Sequence, residues 1–184
     1  QMSTCTGFAA LLSANTKYSK GYATTGVGMA VCARHGFVLP NGVGDLQKGE
    51  RYCNIDYIVT SCLIMLGYII AMILSYDIMC QWIKKFAERV TKLPPHLQFQ
   101  MPENYVRYAI PKYHISGHTK ENHNQYSLNL IPGAARTDGE EIERNWSRHD
   151  AIAASTREMG PGSRHDTLED HFAYANWQKL VGLG

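Results

Sequence analysis

The chain lacks most features that assign a function at sight. It has five cysteines (Cys5, Cys32, Cys53, Cys62, Cys80), an odd and scattered set that excludes a secreted disulfide framework and reads as reduced, intracellular and mostly buried. No basic segment precedes a long apolar stretch at the start, so no signal peptide is expected. There is no internal repeat and no low-complexity segment. The glycine-bearing stretch GVGDLQKGERY (residues 42–52) has neither a Walker pattern nor Gly-x-Gly-x-x-Gly, and its Asp45, Lys48, Glu50 and Arg51 fit a salt-bridged turn as well as a phosphate loop. No Ser-His-Asp or Cys-His catalytic order is legible. Charge is scarce, at 18% of residues, and the net charge of +2 points to no strong partner.

What is present is uneven. Lys84 to Lys120 holds seven Lys or Arg against two acids, whereas Asp138 to Asp170 holds nine acids. That asymmetry is compatible with a nucleic-acid protein. With 45% hydrophobic residues, the 184-residue chain can bury the core of about one domain. Ile58 to Leu74 is seventeen residues without a charge, and Asp77 follows it after Ser75 and Tyr76. The run is short for a membrane span, which needs about 20 residues, and has no Lys/Arg cluster beside it. A buried helix over Asp56–Leu66, a turn near Gly67 and a buried strand over Ile69–Ile78 are expected instead. Asp77 then stands near the carboxyl end of a central strand, where open α/β sheets carry their sites.

Further along, Gln81–Leu93 reads as an amphipathic helix with Trp82, Phe86, Val90 and Leu93 on one face. Tyr105–Ile110 reads as a short strand, and residues 113–136 as a polar loop with a possible strand at Tyr126–Ile131. A helix opens at Asp138, with Glu141 completing a capping box and Ile142 and Trp146 facing inward; a last helix opens near Asp166 with Glu169. Asp77 and a glutamate at the helix start, Glu140 or Glu143, form one constellation able to share Mg²⁺. A second pairs Cys32-x-x-His35 with His114-x-x-x-His118, whose local spacings suit a tetrahedral Zn²⁺ site if the pairs converge.

The words VCARHGFVLPNGVGDLQKGERYCNIDY, SYDIMCQW, IPKYHISGH, RTDGEEIERNW and STREMGPGSRHDTLEDHFAYANWQK occur in that order. Together they resemble the KDZ (Kyakuja-Dileera-Zisupton) DNA transposases of fungal genomes from about residue 22 onward. The resemblance implies an α/β catalytic domain of ribonuclease H-like fold, a mixed sheet with flanking helices and a helical or loop insertion. It divides the chain into a strand and helix core (22–82), the insertion (83–136) and helices carrying the glutamate (137–184). It implies cut-and-paste transposition by an Asp-Asp-Glu triad with two Mg²⁺ or Mn²⁺ ions. Asp77 matches the second Asp, and Glu143 in Glu143-Arg144-Asn145-Trp146-Ser147 matches the glutamate better than Glu140. It implies DNA as partner, a nuclear location, a homo-oligomer in the full-length protein and no membrane. Lys84, Lys85, Arg107, Lys112, Arg144 and Arg164 are the expected phosphate contacts. The chain departs from the pattern at Asn122-His123, where the family often has Cys, at Glu141, where it commonly has Gly, and in the triad's first Asp, for which no motif is visible. A piece of a catalytic domain, inactive alone, is therefore expected, with a non-catalytic DNA- or zinc-binding remnant as the alternative.

Overall fold

A computed structural model of the chain describes residues 21–67, 71–98 and 105–183. β1 (Gly26–Val31) and β2 (Val38–Leu46) form an antiparallel hairpin, with Gly26 opposite Leu46, Val31 opposite Val38 and a bulge between Met29 and Val31. The apolar run lies largely in α1 (Tyr52–Leu66), which packs across this hairpin. Two glycines let it approach: a Cβ on Gly28 would stand 2.7 Å from Ile58 Cδ1, and one on Gly44 would stand 2.9 Å from Ile58 Cγ1. The helix opens at Tyr52 rather than near Asp56 and ends at Gly67, whose φ of 59° suits a residue without Cβ.

β3 (Met72–Ser75) is shorter than the expected strand, whose first residues, Ile69 and Ile70, lie outside the described residues. Tyr76 N–H still reaches the Ala109 carbonyl at 3.1 Å, but Met79 N–H then bonds the Tyr76 carbonyl at 3.0 Å and turns the chain into α2 (Met79–Trp82). β3 pairs in parallel with β4 (Val106–Ala109), Met72 opposite Val106 and Ser75 opposite Ala109. The result is a mixed α/β architecture of two two-stranded sheets with helices. Among the described residues, neither the outer edge of β1 nor that of β3 has a strand partner. Both edges line one cavity of about 610 Å³, floored by Ile55, Ile58 and Val59 of α1. No helix among the described residues is long and apolar enough to cross a membrane.

The expected helix over Gln81–Leu93 is interrupted. A 3₁₀ turn, Ile83–Lys85, separates α2 from α3 (Phe86–Val90). The Trp82 carbonyl, which a continuous helix would give to an N–H four residues on, instead accepts from the Arg89 guanidinium at 2.8 Å. The apolar face survives the break: Trp82, Phe86 and Val90 are buried, and the Trp82 and Phe86 rings stand 4.3 Å apart. Ile78, Met79, Cys80, Ile110 and Tyr126 complete this core.

Three other expectations are corrected. Tyr126–Ile131 is not a strand: α4 (Lys120–Tyr126) ends there, Ser127 alone bridges to Ile110, and Leu130 N–H closes a turn on the Ser127 carbonyl at 2.9 Å. Asp138 does not cap α5 (Glu141–Thr156) as a box; its Oδ1 accepts the Glu140 N–H at 3.0 Å, an Asx turn before the helix. α6 (Pro161–Val181) opens at Pro161, favoured at a first helical position, so Asp166 and Glu169 lie within it.

Polar side chains fasten the last two helices to the hairpin. Asn176 accepts the Val38 N–H at 2.9 Å and donates to its carbonyl at 2.8 Å. The fully buried Asn145 donates to the Gly36 carbonyl at 3.1 Å and accepts from Lys179 at 2.9 Å. On α1, Asp56, 1% exposed, meets Arg89 through two bonds of 2.6 and 3.0 Å. Removing one partner of such a pair leaves a buried charge. Asp56→Ala is therefore expected to lower the free energy of unfolding by about 3–5 kcal/mol in a urea titration; an unchanged midpoint would contradict the role given to this pair.

Candidate metal centre

Parallel pairing sends β3 and β4 out at the same carboxyl end. Beyond Ser75 comes Asp77; beyond Ala109 the chain passes the buried Ile110 and Pro111 into a 3₁₀ helix, His114–Gly117. The first turn of α5 brings Glu143 to the same place. One oxygen of Asp77, one nitrogen of His114 and one oxygen of Glu143 all lie within 4.8 Å of one another. Among the described residues this is the one set of three or more potential metal ligands drawn so close. Asp77 and His114 are partly buried and Glu143 is exposed.

His114 Nδ1 stands 3.6 Å from Asp77 Oδ1 and 3.5 Å from Glu140 Oε2. It is shielded from solvent and makes no hydrogen bond. Glu140 lies outside the set of three; its other oxygen accepts the Tyr113 N–H at 2.8 Å. Glu50, anchored by a 2.6 Å bond from the Tyr76 hydroxyl, brings a further negative charge toward Asp77. Desolvation raises the Asp77 carboxyl above the ordinary carboxylate range; His114 opposes the rise, while Glu50, Glu143 and Glu140 add to it. Burial likewise pushes the Tyr76 hydroxyl up. Crowded acids and a ring nitrogen without a hydrogen bond are a donor set that suits a divalent cation.

His118 sits behind this group. Its Nδ1 lies 3.4 Å from Cys80 Sγ, its ring hydrogen-bonds the main chain of Asp77, and burial lowers its pKa. Cys32 lies 3.7 Å from His35 Nδ1 on the β1–β2 turn. The structure thus does not gather Cys32, His35, His114 and His118. The first two close the hairpin, His114 faces Asp77, and His118 pairs with Cys80.

The basic residues have separate employments. Lys84 and Lys85 are exposed, and Lys84 donates to Gln81 at 3.2 Å. The exposed Arg107 reaches the Pro132 carbonyl, and the partly buried Lys112 bonds the Asp138 carbonyl through its main-chain N–H at 2.8 Å. Arg144 bridges Asp138 and Glu141 and holds the Asp138 carboxyl down at about 2. Arg164, 12% exposed, binds Asp45 at 3.0 Å and the Thr156 carbonyl at 3.1 Å, tying α6 to β2 and the end of α5.

Because its pKa is raised, Asp77 holds its proton more tightly in the folded chain than in the unfolded one. Its contribution to stability is full in acid and is lost as pH rises through the raised value. Asp77→Asn cannot ionise and escapes that loss. With chelator present, the unfolding midpoint of the variant minus that of the wild type is expected near zero at about pH 4 and positive at about pH 7.5. A difference that does not grow with pH would contradict the desolvated carboxylate.

No curated protein and no solved structure matches the chain. The family model described as Kyakuja-Dileera-Zisupton transposase matches residues 1–176, and the chain belongs to that family.

Proposed function

We propose that Asp77 and Glu143 are two carboxylates of a divalent-metal phosphodiester-transfer site in the catalytic domain of a DNA transposase. The observation that carries this reading is the convergence of Asp77, His114 and Glu143 on one point at the carboxyl end of parallel strands. A divalent ion bound there supplies positive charge to the attacking and leaving oxygens of a phosphodiester. The protein's share is placement. β3 fixes Asp77 at a strand end, α5 presents Glu143 on the solvent side, and Glu50 and Glu140 add negative charge around the mouth.

The ribonuclease H-like reading draws support from the edges of β1 and β3, which have no strand partner among the described residues. An extended segment in the cavity between β1 and β3 would join the two small sheets into one mixed sheet. It would also bring a residue of its own beside Asp77, the place a third carboxylate of the triad requires. The transposase family suggests DNA as the partner; exposed Lys84 and Lys85 present cations that can meet phosphates, and Arg107 joins them if it leaves the Pro132 carbonyl. Arg144 and Arg164 enter only if they leave their carboxylate partners.

Titration calorimetry with Mn²⁺ tests the site. Binding by the wild type, and its loss in both Asp77→Asn and Glu143→Gln, is expected. Salt-dependent DNA binding should persist in both variants, since it rests on cations elsewhere. Equal Mn²⁺ affinity in all three proteins would remove the proposed centre and leave a DNA-binding module without metal chemistry.

A further inference from the structure

We infer that His114 is the third protein ligand of this centre, and that its imidazole makes the centre select Mn²⁺ and later first-row dications over Mg²⁺. The inference rests on the metal-site reading above and adds a ligand and a selectivity to it.

The argument begins with an unexplained nitrogen. His114 Nδ1 is buried and has no hydrogen-bond partner, although oxygens of Asp77 and Glu140 stand 3.6 and 3.5 Å away. Those separations exceed an N–H···O bond, which clusters near about 2.9–3.0 Å. The 3.6 Å to Asp77, the proposed co-ligand, is close to the spacing of two ligands that share an ion. Two donors each about 2.1 Å from one cation lie about 3.0 Å apart at a right angle and about 3.4 Å apart at a tetrahedral angle. A plain ion pair would draw the ring and a carboxylate into hydrogen-bond contact. Here the ring stands off from two carboxylates at once.

The local fold holds the ring in that position. Ile115 N–H bonds the Pro111 carbonyl at 3.0 Å, closing the turn that aims His114 across the end of β3. The Tyr113 ring lies edge-on to the imidazole at 5.6 Å, and Glu140 is pinned on the Tyr113 N–H. A neutral imidazole is a poor donor for Mg²⁺, which prefers oxygen and dehydrates reluctantly, and a good one for the Mn²⁺-to-Zn²⁺ series. A centre of two carboxylates and one imidazole should therefore rank Mn²⁺ above Mg²⁺ and Co²⁺ above Mn²⁺.

Pulsed electron paramagnetic resonance on the full chain loaded with Mn²⁺ reads the ligand atom directly. The wild type is expected to show ¹⁴N coupling to the ion, and Mg²⁺ to displace Mn²⁺ at least about tenfold less effectively than Mn²⁺ itself. His118→Gln should keep the coupling and His114→Gln should lose it, with Mn²⁺ binding weakened by about tenfold or more. Mn²⁺ bound in an Asp77-dependent manner without ¹⁴N coupling would overturn the inference while leaving the carboxylate site intact. Coupling that survives His114→Gln would overturn it too. Absence of any Asp77-dependent binding would remove both the inference and the reading on which it rests.

Discussion

β3 and β4 run parallel with Ser75 opposite Ala109, and that short pairing governs what meets at the mouth of the molecule. An antiparallel arrangement would send Asp77 and His114 to opposite ends. Parallel pairing requires a long crossover, and the chain spends Tyr76 to Tyr105 on it. α2 and α3 within that crossover bury Trp82, Phe86 and Val90 and supply Arg89 to the otherwise uncompensated Asp56 of α1. The crossover therefore links the apolar core to the helix on the hairpin. The same hairpin receives α5 and α6 through Asn145, Asn176 and Lys179, and α5 delivers Glu143.

Stability and chemistry pull against each other at this mouth. Elsewhere four acids sit against an arginine: Asp138 and Glu141 share Arg144, Asp45 holds Arg164, and Asp56 holds Arg89. Around Asp77 the order is reversed, with Glu50, Glu140 and Glu143 as neighbours and one imidazole that makes no hydrogen bond to any of them. Titratable groups with perturbed pKa values cluster at functional sites. Among the described residues, the edges of β1 and β3 beside the cavity have no strand partner. Free edges beside an apolar space are normally covered.

Asp77 was legible because a carboxylate closing an uncharged run is conspicuous, and Gly67 marked the helix-to-strand change. Glu143 drew its weight from the family resemblance, and the structure sets it with Asp77 while Glu140 bonds Tyr113. His114 keeps different company in the fold from its company in the sequence. Its sequence spacing to His118 suggested zinc, whereas strand pairing across more than thirty residues faces it toward Asp77. No local pattern carries that information. The buried Asp56–Arg89 pair was equally invisible, since an acid within a helix reads as exposed until its partner is placed. Both helix starts differ from the sequence pattern for one reason: an Asp three residues before a Glu resembles a capping box, but Asp138 forms an Asx turn and Pro161 opens α6 earlier.

Anomalous diffraction from a crystal soaked in Mn²⁺ tests the central claim most directly. The expected result is a peak within bonding distance of Asp77, His114 and Glu143, with Cys32 and His35 far from it. A map with no peak at the end of β3, or with the ion held elsewhere, would contradict the placement of a metal centre on the parallel strands.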